Sequence, residues 1–581
     1  MIKNKTSIRS LSTGLKILAM STVALATTSE QTLAESLHTG EKHNQGPIVI
    51  RNVRLFDGIS NNLINGATIL IDYVRTPDTL SATGKVVHGY DVGYFVQEIS
   101  KNNAPLKGNY DTETAHIIDG QNKVVIPGLI DTHVHLSWAN ITPLMAFSKR
   151  LNQPGSGLTI GDWLTEDLRS PQDPDFIPNA VWSSKEEAKL RLFQGFTSVR
   201  EVGGVAHLVT ESIDPKEVPI DPKNPKGAKT KIIGEPGPRI WAAGSVISAT
   251  AGHADNETDF ASKFKLIADP DKMNLAEREE LVYQLDRFGT TKANGVAEVQ
   301  AAVRNQFVKG ANLIKITTGG GISSPHDPID ATTFDSDEVS AAVQVAAGYN
   351  TYVTTHAYEG KTILRDITHG VRMIEHANLL NDAAARLIKR KENKKDHDRN
   401  PLGPWLGISP FFDNEYANPK EGPSILKQKQ VQAGTLKTYM LAKKHKLHNI
   451  AWGADVMFEP QGGIKAPAMI AHLPEDLAPL KTWKNSKGQV VNHSYSNADI
   501  LKIITARNGE VLTMSGPRTP YLGKDGDYLK DGFIGTLQVG SVADLLIIDG
   551  NPLESLSMFK DTDKDLSLIM KDGIIYKNNL E

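Results

Sequence analysis

The middle of the chain alternates between short apolar runs rich in β-branched residues and longer stretches in which apolar positions recur at a helical period. A short apolar run bounded by turn residues is typical of a buried strand, whereas the longer periodic stretches are typical of amphipathic helices. Eight such runs occur, at residues 126–135, 196–203, 239–247, 312–318, 351–357, 371–377, 405–411 and 449–455. Helices are predicted between several of them, most clearly over residues 184–193, 296–309 and 335–347. Strands that alternate with helices in this way predict an α/β protein built on a (β/α)₈ TIM-type barrel.

Each end of the chain adds further strand-like patterns. Near the N-terminus, strands are predicted at residues 48–56 and 67–72. Near the C-terminus they are predicted at residues 535–539, 543–548, 566–570 and 574–576, with a hairpin turn at Asp572-Gly573 between the last two. Neither set is large enough to be stable alone. We therefore expect both sets to form one small β-sandwich domain from residues 47–126 and 530–581, with the barrel, residues 127–529, inserted between them.

Several polar segments are longer than the usual connections of a barrel. Residues 73–110 are predicted to be a polar insertion near the N-terminus. Residues 152–183, 205–235 and 254–295 are predicted to be insertions in the loops that follow barrel strands. Because such loops surround the active site of a barrel, we expect long insertions to rim the pocket.

The first residues have the pattern of a secretory signal peptide. Four basic residues between Lys3 and Lys16 precede an apolar stretch that ends at Thr27, and cleavage is expected after Ala26 or Ala34. We expect residues 1–26 to be the signal peptide. No later apolar run of about 18 residues follows, so the mature protein is expected to have no membrane span and to be secreted, in the periplasm. An uncleaved N-terminal anchor is the alternative.

Composition narrows the choice of partners. The 581 residues include 64 Lys and Arg against 67 Asp and Glu, a formal charge of −3, so there is no basic excess to neutralise nucleic-acid phosphates. The chain has no cysteine, and its fold must depend on its core and on metal rather than on disulfides. We expect a small molecule or a short peptide as the substrate and no nucleic-acid partner. The composition is compatible with a homo-oligomer.

Polar side chains occur at the ends of predicted strands, where a buried strand should be apolar. The first strand ends in His133 and His135, and their i, i+2 spacing places both imidazoles on one face. Lys315 lies inside the fourth strand, and a buried lysine needs a partner or a modification. The other members of the set end the fifth, sixth and eighth strands and are His356, His376 and Asp455. Imidazole nitrogens and a carboxylate at one end of a barrel predict a site for a divalent metal ion.

These residues give the chain a resemblance to the amidohydrolase superfamily of metal-dependent hydrolases, over essentially all of its length after the signal peptide. The segment Pro127–His135 matches the first-strand motif of that superfamily. Three further segments are similar to the branch that contains prolidase-like dipeptidases, carboxypeptidases and ochratoxin-type amidases: Gly237–Trp241, Gly252–Asp255 and Gly319–Asp330.

The resemblance implies a ligand set for two divalent metal ions, which are expected to be Zn²⁺. It implies that His133 and His135 bind the more buried ion. Lys315, carboxylated by CO₂ to a carbamate, would bridge the two ions. His356 and His376 would hold the more exposed ion, and the sixth ligand, Asp455, would contact the buried one.

The resemblance also implies how these groups would act. Two such ions would lower the pKa of a bridging water and polarise the scissile carbonyl. Asp455 would take a proton from that water and pass it to the leaving amine. His253 and Tyr358, on the loops expected after strands three and five, are candidate donors to the oxyanion or to a substrate carboxylate. Arg200 and Arg239 also lie near strand ends, where an arginine is often a structural ion-pair partner.

The sequence therefore predicts a secreted metal-dependent amidohydrolase, which is a hydrolase of carbon–nitrogen bonds. The expected activity is that of a metallopeptidase acting on dipeptides or of an amidase acting on N-acyl amino acids. A cyclic amide hydrolase, similar to imidazolonepropionases or hydantoinases, is the alternative enzyme. A non-catalytic binding protein on the same scaffold is the alternative from another class. Such proteins typically lose ligands, whereas all six ligand positions are filled here.

Overall fold

The computed structural model describes residues 46–75, 79–80, 86–87, 91–139, 148–150, 153, 180–213, 216–219, 230–255, 289–324, 326–392, 403–414, 424–457, 466–523, 525, 527, 529 and 533–580. The predicted signal peptide, residues 1–26, lies outside these ranges. So does most of the insertions predicted at residues 152–183 and 254–295.

The strands, in chain order, are β1 (Ile48–Leu55), β2 (Ile64–Arg75), β3 (Thr79–Leu80), β4 (Val86–Val87), β5 (Asp91–Ser100), β6 (His116–Asp119), β7 (Val124–Pro127), β8 (Leu129–Val134), β9 (Phe196–Glu201), β10 (Lys216–Pro219), β11 (Thr230–Ile233), β12 (Arg239–Ala242), β13 (Val246–Ser248), β14 (Thr290–Lys292), β15 (Ile314–Thr317), β16 (Val353–Glu359), β17 (Met373–Leu379), β18 (Trp405–Ile408), β19 (Ile450–Trp452), β20 (Trp483–Lys484), β21 (Val490–Val491), β22 (Leu545–Ile548), β23 (Leu566–Lys571) and β24 (Ile574–Asn578).

The α-helices are α1 (Leu136–Ala139), α2 (Ala180–Phe193), α3 (Thr210–Ile213), α4 (Gly295–Val308), α5 (Ser336–Gly348), α6 (Gly360–Thr368), α7 (Asp382–Lys391), α8 (Ser424–Lys444), α9 (Ala466–Asp476), α10 (Asn497–Lys502), α11 (Asn508–Thr513) and α12 (Thr562–Asp565). Short 3₁₀-helices lie at Ala206–Leu208, Ala478–Thr482, Gly516–Arg518 and Ser557–Lys560, and a π-helical turn, Ile503–Arg507, joins α10 to α11.

Two parallel sheets contain the strands that were predicted for the barrel. One has the order β12-β9-β8 and the other the order β14-β13-β15-β16-β17-β18-β19. A strand is present within each predicted run, and the third run, residues 239–247, is split into β12 and β13. The split lies near Gly244, whose φ is 72° and on which an added Cβ would lie 2.6 Å from Gln306 Oε1. Because β12 pairs with β9 and β13 pairs with β15, this segment runs from one sheet into the other.

These strands lie in the interior, as expected for parallel sheets that are covered on both faces. Every residue of β8 and of β9 is buried. The three helices predicted most clearly are confirmed as α2, α4 and α5. Helix α5 begins with a capping box, in which Asp335 accepts from the backbone N–H of Glu338 while the Glu338 side chain accepts from that of Asp335.

A buried amide joins β8 to β19, the first and last of these strands along the chain. Asn508 Nδ2 donates to the carbonyl oxygens of Ile130, at 2.6 Å, and of Trp452, at 2.9 Å. Its Oδ1 accepts from the backbone N–H of Trp452 at 3.0 Å. The two chain segments approach so closely that a Cβ on Gly453 would lie 2.3 Å from the Cβ of His133. Only glycine fits at this position.

An eight-stranded sheet combines strands from both ends of the chain, as the sequence predicted. Its order is β24-β23-β22-β7-β1-β2-β5, with β6 paired to β1. The N-terminal and C-terminal parts meet where β7 pairs antiparallel with β22. Asp572 and Gly573 form the predicted turn between β23 and β24, with φ values of 52° and 73° that suit a type I′ hairpin. The sandwich arrangement and the domain boundaries stay predictions.

Two segments differ from their predictions. Residues 535–539 form turns instead of a strand, because Gly535 and Gly540 have φ values of 76° and 94°, outside the range of a strand. The insertion predicted over residues 73–110 contains β5, which pairs with β2 in the sheet. Phe95 and Val96 of β5 are buried, so the β-forming residues of this stretch outweigh its polar neighbours.

Contacts along the chain group residues 46–214 and 235–581 into one compact unit. The antiparallel hairpin of β10 and β11 lies in a second unit. Within the ranges given above, no helix has both the length and the apolar character needed to cross a membrane.

Replacing Asn508 by alanine should lower the free energy of unfolding by about 1–3 kcal/mol, because the buried N–H of Trp452 would lose its acceptor and the Ile130 carbonyl would lose this donor. Chemical denaturation followed by circular dichroism measures this change. Asn305, exposed on α4, provides the matched control, and Asn305→Ala should alter stability by less than about 0.5 kcal/mol. Equal stability of N508A and the unmodified protein would show that this amide does not hold β8 to β19.

Candidate metal centre

The predicted ligands lie at the ends of strands in the two parallel sheets. His133 is in β8 and His135 directly follows it, Lys315 is in β15, His356 is in β16, His376 is in β17, and Asp455 follows β19. All except Asp455 are buried, and the side chain of Asp455 is 14% exposed. The strands therefore bring these polar side chains into the interior, where each needs a partner.

Three of the histidines converge on Asp455. Its Oδ1 lies 3.3 Å from His133 Nε2 and 3.5 Å from His135 Nε2, and its Oδ2 lies 3.7 Å from His376 Nδ1. The backbone N–H of Asp455 donates to the carbonyl oxygen of His133 at 3.0 Å. Ligand atoms of His133, His376 and Asp455 all lie within 4.8 Å of one another, which makes this the candidate metal-binding group in the described part of the chain.

The partners of Nδ1 in His133 and His135 show that Nε2 is the unprotonated nitrogen that faces Asp455. His133 Nδ1 lies 3.0 Å from the Glu375 carboxylate, and His135 Nδ1 lies 2.7 Å from the carbonyl oxygen of Gly203. Both partners are acceptors, so the two Nδ1 atoms carry the protons. The lone pairs of both Nε2 atoms then face a third acceptor, Asp455 Oδ1. Three acceptors repel one another unless a cation lies between them, so this donor set fits a divalent metal ion.

His356 and His376 extend this cluster. The ring centroids of the two are 4.4 Å apart, and the ring of His376 is 4.8 Å from that of His133. His356 Nε2 donates to the carbonyl oxygen of Gly320 at 3.0 Å, which leaves Nδ1 as its free acceptor. The structure thus brings the predicted ligands on β16 and β17 beside those on β8.

Lys315 lies among these groups with 3% of its surface exposed. Burial lowers the pKa of Lys315 to about 8, although the carboxylates of Glu375 and Asp455 act in the opposite direction. An amine with this pKa is partly neutral at neutral pH. A neutral amine is the form that can react as a nucleophile.

Two of the predicted ligands lie in strained backbone conformations. The φ angles of His376, Ala377 and Asp455 are 73°, 52° and 51°, in the left-handed region. Such conformations cost about 1–3 kcal/mol each for residues other than glycine, and they persist where the surrounding structure imposes them. Their position at the ligands is typical of a functional site.

Glu375 is a site residue that the sequence reasoning missed. Its carboxylate accepts from Arg200 Nη2 at 2.6 Å, from His133 Nδ1 at 3.0 Å and from the hydroxyl of Thr354. Burial alone would raise the pKa of Glu375, but Arg200 and His133 lower it to about 2 and keep the side chain ionised. A signal was available, because an acid inside the apolar run 371–377 is as unusual as a lysine inside a buried strand.

Burial also governs the protonation of the ligands. It lowers the pKa of His133 to about 4, although Asp455 opposes this, and the imidazole is therefore neutral. Burial alone would raise the pKa of Asp455, but His133 and His135 lower it to about 2. Neutral imidazoles and an ionised carboxylate are the forms that bind a divalent ion.

His253 and Tyr358 lie beside this cluster. The ring of His253 stacks on that of His356, with centroids 4.0 Å apart and an interplanar angle of 28°. The ring of Tyr358 is 4.9 Å from that of His356 and 5.0 Å from that of His376. The prediction that Tyr358 lies on a loop was wrong, because β16 continues to Glu359. The catalytic roles of His253 and Tyr358 stay predictions.

Two arginines near the strand ends are structural ion-pair partners, as the sequence suggested. Arg200 pairs with Glu375, and Arg239 pairs with Asp544. Both arginines are buried and both are matched by an acid, so neither is a spare cation in the site.

Comparison with known proteins agrees with this geometry. The amidohydrolase family model matches residues 124–391, a range that contains five of the six predicted ligands. Ochratoxinase from Aspergillus niger is 24% identical over 482 residues, which cover 82% of this chain and 80% of the relative. The crystal structure of an amidohydrolase has a TM-score of 0.61 at 25% identity, covering 92% of this chain and 100% of the other. That of a prolidase complexed with N-methylphosphonate-L-proline has a TM-score of 0.59 at 23% identity, with the same coverage.

The strand-end donor set and the family match together define the class of protein. Residues 124–391 match the amidohydrolase family model, and the chain is a hydrolase that acts on carbon–nitrogen bonds. Its similarity to ochratoxinase and to prolidase structures confirms the branch that the sequence motifs suggested.

Replacing Glu375 by glutamine should weaken the binding of the more tightly held Zn²⁺ about 10–100-fold, because a neutral amide orients His133 less strongly than a carboxylate does. Competition between the metal-free protein and a chromophoric chelator measures this affinity. Glu359→Gln on the neighbouring strand, where the side chain only caps α6, is the matched control and should bind Zn²⁺ normally. Unchanged Zn²⁺ affinity in folded E375Q would contradict the role assigned to Glu375.

Proposed function

We propose that this protein is an exported, binuclear metal-dependent amidohydrolase that cleaves the amide bond of a dipeptide or an N-acyl amino acid. One observation carries the proposal. His133 Nε2 and His135 Nε2, both acceptors, lie 3.3 and 3.5 Å from a third acceptor, Asp455 Oδ1, an arrangement that calls for a cation. The ochratoxinase relative and a structure of a Xaa-Pro dipeptidase with bound methionine support an amide substrate that contains an amino acid.

We infer that the two parallel sheets are parts of one closed eight-stranded barrel. The continuous segment through β12 and β13 supports one junction between them. Asn508 and the hydrogen bond from the Asp455 backbone to His133 support the other, between β8 and β19. In such a barrel the strand ends face one pocket, which is where the ligands lie.

The residues would hold two divalent ions, expected to be Zn²⁺, as the resemblance implies. When bound, the ions would activate a water and polarise the scissile carbonyl. His133 and His135 present Nε2 lone pairs, and His356 presents Nδ1. Lys315, as a carbamate, would add a shared anionic ligand, and its lowered pKa of about 8 supports the reaction of its amine with CO₂.

Within this site Asp455 is the proton carrier. It is ionised at neutral pH and lies at the meeting point of three histidines, so it can accept a proton from the attacking water. It would then hand that proton to the leaving amine. His253 and Tyr358, which flank His356, are placed to orient the substrate by donating to its oxygens.

Substrate assays decide between the proposed activity and its alternatives. A panel of dipeptides, including those with C-terminal proline, N-acyl amino acids and cyclic amides should be tested with Zn²⁺-loaded protein. Release of a free amino acid supports the proposal. Ring opening without such release would indicate a cyclic amide hydrolase, and metal binding without turnover of any compound would indicate a binding protein.

Replacing Asp455 by asparagine should lower kcat by at least about 10²-fold, because general acid–base catalysis contributes roughly 10²–10⁴-fold. Zinc content should be measured alongside kcat on the best substrate, so that loss of metal and loss of proton transfer are separated. Asp413→Asn, an exposed position beyond β18, is the matched control. Near-normal kcat in D455N with normal zinc content would contradict the proton-carrier role.

The proposal that the protein is exported rests on the signal-peptide pattern of residues 1–26. N-terminal sequencing of the protein purified from the cell envelope should find a mature chain that begins soon after Ala26 or Ala34. A protein that retains Met1 and sediments with membranes would instead indicate an uncleaved anchor.

A further inference from the structure

A lysine from a distant helix organises the loop that contacts His356 and His253. This loop, residues 319–330, follows β15 and is called the glycine loop here; residue 325 lies outside its described part. Lys427 of α8 donates from Nζ to three of its carbonyl oxygens, those of Gly321 at 3.0 Å, Ser324 at 2.6 Å and Asp327 at 2.5 Å. An ammonium group has three N–H donors, so all of them are used on the loop.

A carboxylate inside the glycine loop reinforces this arrangement. Asp327 Oδ2 accepts from the backbone N–H of Gly321 at 2.6 Å, and Asp327 Oδ1 lies 3.6 Å from Lys427 Nζ. Asp327 is buried, and the side chain of Lys427 is 20% exposed. Lys427 both pairs with Asp327 and binds three carbonyl oxygens of the glycine loop. Loss of its ammonium group would therefore leave buried polar groups of the loop without this partner.

The glycine loop in turn contacts the two histidines. The carbonyl oxygen of Gly320 accepts from His356 Nε2 at 3.0 Å, and Ser324 Oγ lies 2.9 Å from His253 Nδ1. Gly321 has no side chain where the imidazole of His253 lies, since an added Cβ would be 1.8 Å from His253 Nδ1. The loop therefore fixes the tautomer of His356 and the place of His253.

We propose that Lys427 is a positioning residue for the metal ion held by His356: through the glycine loop it keeps the His356 proton on Nε2 and the Nδ1 lone pair on the metal side. The three donors of Lys427 bind carbonyl oxygens of the glycine loop, so its effect on His356 passes through backbone groups. The proposal deepens the proposed function, because it rests on His356 being a ligand of the second ion. The proposal assigns a role to α8, which follows β18 in the chain, although the predicted ligand His356 is on β16.

The test compares Lys427→Met, which keeps most of the side-chain length but removes the three donors, with Lys429→Met on the same helix. Lys429 is exposed and is the matched control. Isothermal titration of metal-free protein with Zn²⁺ should give two ions per chain for the unmodified protein and for K429M. In K427M the first ion should bind within about twofold of normal and the second about 10–100-fold more weakly, as expected for loss of an indirect partner.

Activity provides a second readout that general destabilisation would not mimic. The kcat of K427M should fall at limiting Zn²⁺ and recover when excess Zn²⁺ saturates the weakened site. Lys427→Arg, which keeps charge and donors, should retain most of the second-ion affinity. Normal binding of both ions by K427M would overturn the proposal, and so would equal weakening of both ions. If K427M does not fold, Lys427→Leu, which also lacks donors, takes its place with the same expected outcomes.

A measurement without metal separates this proposal from the proposed function. In metal-free protein labelled with nitrogen-15, the His356 signals can be assigned by their loss in His356→Gln. The unmodified protein should show a proton on Nε2, and K427M should show a mixture of tautomers. An unchanged His356 spectrum in K427M overturns the role of Lys427. Binding of fewer than two ions by the unmodified protein, together with a changed spectrum, would overturn the binuclear site alone.

Discussion

A carboxylate buried among several strands is the constraint on which the centre of this molecule depends. Glu375 is fully buried and ionised, and it accepts from Arg200 on β9, His133 on β8 and Thr354 on β16. Removal of one partner from such a buried pair costs about 3–5 kcal/mol, because the other charge is left uncompensated. This carboxylate therefore ties together the strands that carry these residues, and it holds His133 with its Nε2 atom toward Asp455.

The other predicted ligands also have partners that fix the orientation of their imidazole rings. The carbonyl oxygen of Gly203 orients His135, that of Gly320 orients His356, and Ser409 Oγ lies 3.0 Å from His376 Nδ1. Partners of this kind set which ring nitrogen is free and how strongly it binds. Two of the predicted ligands, His376 and Asp455, also have a left-handed backbone, a conformation that persists only where the surrounding structure imposes it.

Much of this arrangement could be predicted from the sequence, because polar residues inside apolar strands are costly and therefore conspicuous. The runs that became β8, β15, β16, β17 and β19 each contained or preceded an anomalous histidine, lysine or aspartate, and the structure brings these residues to neighbouring positions. The joining of both chain ends in one sheet followed from the small size of each terminal set.

Other features depend on tertiary contacts that no local pattern reveals. At the break between β12 and β13, Gln306 of α4 packs against Gly244. The hydrogen bonds from Lys427 to the glycine loop join residues about a hundred positions apart. The apolar residues at 535–539 predict a strand, but the positive φ values of Gly535 and Gly540 make this segment a turn. The role of Glu375 depends on its contacts with Arg200 and His133, which lie far from it in the sequence.

The most direct test of the proposed binuclear centre is anomalous diffraction at the zinc edge from crystals of the protein loaded with Zn²⁺ in bicarbonate buffer. The account predicts two zinc peaks per chain, the first beside His133, His135 and Asp455 and the second beside His356 and His376. It also predicts density for a carboxylated Lys315 that bridges the two ions. A single zinc peak at full occupancy, next to Lys315 with a plain amine, would contradict it.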